Sequence, residues 1–172
     1  MKRLYILRHA KAELGDANTQ DKERDLAPRG RENAAALGAY LQAEGLIPQK
    51  VYSSDAKRTR ETLKSLQSGL TDKLDVTYTD SLYLASAGDI LRELQDTNPD
   101  QDAVMIVGHN PGLHHLSLML AAEALTEDGI DTLTMKFPTC ALAIMQLNID
   151  SWDKIEPGSA VLERFLTRHD IS

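Results

Sequence analysis

The sequence predicts a three-layer α/β/α sandwich with a mostly parallel central sheet and antiparallel strands added toward the C-terminus. Short apolar runs alternate with helix-period segments through the first 124 residues. This is the pattern of buried strands joined by crossover helices. Val104-Met105-Ile106-Val107 is apolar without a break, as a strand covered on both faces must be. Beyond residue 130 the character changes to β-rich runs without intervening helical periodicity. At 172 residues, 42% hydrophobic and 26% charged, the chain is expected to form a single domain over residues 1–172.

Each element follows from local signals. The first strand is read at Lys2–Leu7, followed by a polar loop over Lys11–Ala27 punctuated by Gly15, Asp16, Asn18, Asp21 and Asp25. Pro28 suits the first helical position, and Ala34, Leu37, Gly38 and Leu41 form an apolar face that Gly45 terminates. A second strand over Lys50–Ser53 leads into a helix from Asp55 to Ser68, with Ser54 as N-cap and Gly69 closing it. The third strand is Asp75–Thr79. Ser86 and Asp89 resemble a capping box opening a helix that ends near Thr97, before Pro99. The fourth strand is Ala103–Val107, and a helix from Leu113 to Ala124 follows. Asp131–Phe137 and Cys140–Asn148 read as an antiparallel hairpin across Pro138-Thr139, and Ala160–Leu166 as a further strand. Trp152 is expected to pack rather than react.

Charge narrows the function classes. With 19 basic against 26 acidic residues and a net charge of −7, the surface is unsuited to a nucleic-acid backbone. A small positive site in an acidic exterior admits one phosphoryl group and repels polyanions. The sequence shows neither an apolar stretch long enough for a membrane span nor a charged-then-apolar leader, so a cytoplasmic protein without membrane contact is expected. Cys140 is the only cysteine, which excludes an internal disulfide and leaves a small buried side chain as its expected role.

The chemistry-bearing residues sit where strands end. Arg8-His9-Ala10 follows the apolar run Leu4–Leu7, and His109 follows Val104–Val107 in Gly108-His109-Asn110-Pro111-Gly112. Arg58 falls in the first turn of the second helix. In open α/β sheets the carboxyl ends of parallel strands open onto the ligand crevice. Two imidazoles and two guanidinium groups at such ends therefore converge on one anionic ligand. A metal site on His9, His109, His114 and His115 is poorly spaced, because His114 and His115 diverge by about 100° on a helix.

Three segments, Leu7-Arg8-His9-Ala10, Ser53-Ser54-Asp55-Ala56-Lys57-Arg58-Thr59-Arg60-Glu61-Thr62 and Val107-Gly108-His109-Asn110-Pro111-Gly112, together resemble the histidine phosphatase superfamily. Within it the chain looks most like the short SixA-type phosphohistidine phosphatases. The resemblance implies the phosphoglycerate mutase-like form of the fold and covers nearly the whole length, including Asp21–Gly30. Ala10 stands where many members have Gly.

On this reading His9 is the in-line nucleophile, and Arg8, Arg58 and His109 stabilise the phosphoryl group. The resemblance also offers Arg24 as a further phosphate or substrate contact. Asn110 either orients His109 or donates to phosphate, or serves only the sharp turn. No metal or other cofactor is expected.

Relatives that cleave phosphate esters usually supply an acid after the third strand. Asp80 and Asp89 are the available carboxylates there, with no evident match, and Asp89 already has a capping role. The chain also lacks long insertions that would cover the site. The resemblance therefore implies a phosphohistidine-bearing protein as substrate, such as a phosphotransfer domain of a two-component relay. An ester phosphatase or mutase on the same fold and a non-catalytic phosphate-binding module are the alternatives.

Overall fold

The computed structural model describes residues 1–171, with seven strands in one sheet and helices on both its faces. In chain order the elements are β1 (Lys2–Arg8), α1 (Pro28–Glu44), β2 (Lys50–Ser54), α2 (Lys57–Gln67), β3 (Val76–Thr79), α3 (Ala87–Gln95), β4 (Ala103–Gly108), α4 (Gly112–Leu120), β5 (Ala121–Ala124), α5 (Glu127–Met135), β6 (Leu142–Leu147), β7 (Ala160–Leu166) and α6 (Arg168–Ile171). The strand order is β3-β2-β4-β1-β6-β7-β5. Strands β1 to β4 are mutually parallel, β6 is antiparallel to both β1 and β7, and β5 is parallel to β7. The reversal is thus confined to β6.

Alternation along the central strands builds two cores at once. Tyr5, Leu7, Met105, Val107, Leu142 and Ile144 point to the face covered by α1 and α2, where they meet Leu37, Leu41 and Leu66. Leu4, Ile6, Val104, Ile106, Ala143 and Met145 point to the other, where α3 and α4 contribute Ile90, Leu94, Leu113 and Leu116. Because both faces are covered, both sets are apolar, which is why these strands read as unbroken hydrophobic runs. Trp152 is fully buried in the second core, and its indole N–H donates to the Gln101 carbonyl at 2.6 Å. Cys140 is buried as expected, and burial pushes its thiol up to about 12.

The caps behave largely as read. Pro28 opens α1, Gly45 ends it at φ 67°, and the Ser86 hydroxyl accepts the Asp89 N–H at the start of α3. Ser54 does not cap α2. Ala56 holds that position without a side-chain bond, and the Ser54 oxygen instead accepts the Ala56 N–H at 3.2 Å.

The expected hairpin arm over Asp131–Phe137 is instead the second half of α5 and the turn leaving it. Leu133, Met135 and Phe137 alternate with polar residues like a strand, but Thr126 caps the segment by accepting from Gly129 N–H, and Glu127 and Asp128 occupy its first turn. Both features favour a helix N-terminus. The alternation does not correspond to two faces of a sheet, since Met135 is 83% exposed. The helix expected to run from Leu113 to Ala124 stops at Leu120. Ala121–Ala124, a good helix former by composition, pairs with the open edge of β7. Helix propensity there yields to the backbone hydrogen bonds that the edge offers.

Candidate active site

Sheet register brings the two histidines together. Arg8 pairs with Gly108 across β1 and β4, and the His9 N–H donates to the Gly108 carbonyl at 3.1 Å. The residue after each strand end therefore projects from the same edge, and the His9 and His109 ring centroids lie 5.4 Å apart. Strand β2, on the other side of β4, delivers Ser54 to the same edge, and the first turn of α2 delivers Arg58.

These side chains border a hollow of about 370 Å³. All six residues expected at the site, Arg8, His9, Arg24, Arg58, His109 and Asn110, line it. Asp80 and Asp89 do not. Both are exposed, and Asp89 is ion-paired with Arg92. Ala10 is buried in the core below, its N–H donating to the Thr62 hydroxyl at 2.9 Å, so its methyl group does not narrow the hollow.

Hydrogen bonds fix the tautomer of each ring. His9 Nδ1 lies 2.8 Å from the Ala10 carbonyl. A carbonyl only accepts, so in the neutral ring the proton is assigned to Nδ1 and Nε2 keeps its lone pair. His109 is arranged in the opposite sense, with its Nε2 2.8 Å from the Ser54 hydroxyl. His109 Nε2 is the one acceptor in contact with that hydroxyl, whose oxygen also receives the Ala56 N–H, so the hydroxyl proton is assigned to Nε2. The ring proton then sits on Nδ1, which is buried with no partner.

Burial pushes His9 down to about 4, and Arg58 and Arg8 add to the effect against the Ala10 carbonyl, which opposes it. Burial likewise brings His109 down to about 3, with help from Arg58 and His9. Both rings are therefore neutral near pH 7.

The guanidinium groups are anchored at one end and open at the other. Arg8 donates to the Phe137 carbonyl at 3.0 Å, and Asn110 Nδ2 donates to that same oxygen at 2.8 Å. Asn110 thus ties the turn after β4 to the chain before β6. Arg58 donates to the Asp21 carbonyl at 2.8 Å and to its carboxylate at 3.0 Å. Arg24 reaches the other carboxylate oxygen at 3.1 Å while its Nε donates to the Glu13 carbonyl. The Tyr83 hydroxyl also donates to Asp21, and this bond, together with Arg24 and Arg58, holds the Asp21 carboxyl well below the usual range.

The Nε–H groups of Arg8 and Arg58 are buried without partners. Together with His109 Nδ1–H they make three orphaned donors around one hollow. Buried polar groups are nearly always satisfied in folded proteins, so three together mark a place prepared for an acceptor. Asn110 Oδ1, an acceptor on the same hollow, is buried without a partner as well.

The sequence alone points to no role here for Asp21, Tyr83 or Thr62, and it offers Ser54 as a helix cap. Asp21 lies three residues before Arg24 in a polar loop, where one carboxylate resembles its neighbours until the loop folds over Arg58. The Tyr83 ring stands edge-on to His109 at 5.4 Å and 5.9 Å from the Arg58 guanidinium. Close by, Gly112 packs against the Ala85 carbonyl so tightly that a Cβ there would lie 2.0 Å from it. His114 is held elsewhere, bonded to the Leu133 carbonyl at 2.6 Å. Among the described residues no group of three or more His, Cys, Asp or Glu is placed to hold a metal ion, and no helix is long and apolar enough to cross a membrane.

Comparison with known proteins places this geometry in a family. The profile of the histidine phosphatase superfamily (branch 1) matches residues 4–90, just over half of the chain. An uncharacterized chloroplastic protein of Arabidopsis thaliana is 33% identical over 162 residues, covering 89% of this chain and 70% of that one. An uncharacterized protein of Mycobacterium tuberculosis is 31% identical over 160 residues, covering 92% and 98%. Among solved structures, SixA from Nakamurella multipartitia superposes with a TM-score of 0.81 at 28% identity, covering 96% of this chain and 95% of that one. SixA from Agrobacterium tumefaciens gives 0.78 at 28% identity, covering 96% and 97%. The chain belongs to the histidine phosphatase superfamily (branch 1), and its chemistry is that of a phosphatase.

Proposed function

We propose that this protein removes phosphate from phosphohistidine on a signalling protein, by way of a phosphoryl group carried transiently on His9. The observation that carries the reading is the opposed contacts of the two rings: His9 is held at Nδ1 by the Ala10 carbonyl, which leaves Nε2 free, and His109 is held at Nε2 by the Ser54 hydroxyl, which leaves Nδ1 unpaired like the buried Nε–H groups of Arg8 and Arg58. His9 Nε2 attacks phosphorus, the bond from phosphorus to the leaving nitrogen breaks, and its electron pair stays on the departing imidazole, which leaves neutral because its other ring nitrogen carries a proton. Arg8, Arg58 and His109 bear the charge on the equatorial oxygens. Water then attacks the phosphoryl group, the bond from phosphorus to Nε2 breaks, and inorganic phosphate leaves. Dividing the displacement in two lowers each barrier.

The leaving group is what favours phosphohistidine over an ester. An alkoxide departs poorly without a proton donor. The one carboxylate lining the hollow, Asp21, is already engaged by Arg24, Arg58 and Tyr83 and resists protonation. An imidazole nitrogen, with an ordinary pKa near 6.5, leaves without such help. Two structures at 28% identity carry the phosphohistidine phosphatase name SixA, which supports the same substrate class. The setting that fits is the cytoplasm, with a two-component phosphotransfer domain as partner, and none of these steps requires a metal ion.

Turnover of phosphorylated phosphotransfer domains should be compared with that of common phosphate esters, for the wild type and for His9→Ala. Hydrolysis of the phosphoramidates that is lost in His9→Ala is expected. Efficient ester hydrolysis with poor phosphoramidate turnover would overturn the substrate while leaving the fold intact.

A further inference from the structure

Beside the candidate active site lies a second hollow of about 400 Å³ that shares Lys11 and Thr139 with it. Its rim also carries Arg29, Lys136, Arg168 and His169. Four separate stretches of chain bring these cations together, and each is tied down by backbone contacts. Lys11 follows the β1 end, where its carbonyl accepts the Ala27 N–H. Gly30 packs so closely on it that a Cβ would lie 2.2 Å from the Lys11 oxygen, which sets Arg29, in the first turn of α1, next to Lys11. Lys136 and Thr139 belong to the turn into β6, held to β1 because the Cys140 N–H donates to the His9 carbonyl at 3.0 Å. Arg168 and His169 open α6, whose Ile171 packs against the core beneath α1.

Among the described residues, no carboxylate lies at ion-pair distance from the Lys and Arg side chains of this hollow. Among the described residues, eleven of the 19 Lys and Arg side chains form an ion pair with a carboxylate. Lys11, Arg29, Lys136 and Arg168 do not. Arg8, likewise without a carboxylate partner, lines the adjoining hollow. Most of the protein's free positive charge is therefore gathered on one side of one site, in a chain whose net charge is −7.

We infer that this basic hollow is the docking surface for carboxylates on the protein that bears the phosphohistidine, an inference that rests on the substrate class proposed above. All four cations are exposed on long side chains, and none is buried or clamped to one geometry. Such an arrangement suits carboxylates distributed over a protein surface better than a single small anion, which calls for fixed, convergent donors. Charge complementarity next to the reacting centre acts mainly on encounter and register, and so on kcat/KM at low salt. The acidic remainder of this chain would meanwhile repel a like-charged partner from every other approach.

The test uses the full-length protein with Lys136→Glu and Arg168→Glu, singly and combined, both outside the catalytic hollow. Two substrates are compared: a phosphotransfer domain phosphorylated on histidine with Asp and Glu around it, and free phosphohistidine. The double variant should lose at least about tenfold in kcat/KM on the protein substrate at low ionic strength, with a flattened salt dependence. Free phosphohistidine should turn over within about twofold of wild type. Neutralising the substrate's flanking carboxylates should produce the same loss in the wild type and little further loss in the double variant.

Unchanged turnover of the protein substrate would overturn docking, and so would an equal loss on both substrates. A wild type that hydrolyses neither phosphohistidine substrate would overturn the substrate class itself, and the docking inference with it.

Discussion

The Ser54 hydroxyl lies 2.8 Å from His109 Nε2, the one acceptor in contact with its proton, so the proton of a histidine on another strand is assigned to the far ring nitrogen by a strand-end serine. Ser54→Ala removes that control and leaves a buried ring nitrogen unpaired. A fall of roughly 10- to 100-fold in kcat with little change in KM is expected, together with a loss of about 1–3 kcal/mol of stability. Steady-state kinetics and denaturant unfolding on the same preparation check both.

Asp21 holds the Arg58 head group through its carbonyl and its carboxylate. Asp21→Asn keeps the shape and removes the charge that fixes Arg58 and Arg24. About tenfold loss of kcat is expected, with Tyr83→Phe milder because it removes one contact to the same carboxylate. If Asp21→Asn left kcat unchanged, the loop would have no part in placing Arg58.

Arg8→Ala and Arg58→Ala each remove a donor aimed at the oxyanion, and each should slow turnover by roughly 10²- to 10³-fold. Arg58→Lys should rescue little, because an ammonium cannot keep both contacts to Asp21 and still present the Nε–H. Parallel kcat measurements on the three variants decide this.

The histidine environments predict a pH signature. The unfolded chain takes up protons on these residues near pH 6.5, whereas folded His9 resists until about 4 and His109 until about 3. Stability should therefore be unaffected by these rings above pH 6.5 and should fall as the pH drops from there toward 4. His9 alone contributes a loss of about 3 kcal/mol across that window. NMR titration of the two rings should give midpoints well below 6.5, raised when inorganic phosphate occupies the site. Ordinary midpoints near 6.5 would contradict the buried, cation-flanked setting.

Asp80→Asn and Asp89→Asn should leave phosphoramidate turnover within about twofold of wild type, since neither carboxylate lines the hollow. A large loss in either would reveal a proton donor that reaches the site on substrate binding.

Much of this was legible in the sequence, for identifiable reasons. Arg8, His9 and His109 directly follow apolar runs, and residues at the carboxyl ends of parallel strands have little freedom to be elsewhere. Arg58 was readable because a strand precedes it closely. The resemblance to the family supplied Arg24, which the geometry brings to the same hollow. The sequence could not show Asp21 and Tyr83, because their partners lie 37 and 62 residues away in the chain and nothing local distinguishes them from other loop residues. The errors in the fold fall where local preference met an external contact. Ala121–Ala124 became a strand because β7 had an open edge, and Leu133–Phe137 alternated without lying in a sheet.

Transient phosphorylation of His9 is the most direct test. The protein should be mixed with radiolabelled phosphohistidine substrate, quenched within one turnover under alkaline conditions that preserve phosphoramidates, and mapped by mass spectrometry. Label on the Nε2 nitrogen of His9, formed and discharged at rates that account for turnover and absent from His9→Ala, is the expected result. Full turnover by His9→Ala, or label that resides on another residue, would contradict it.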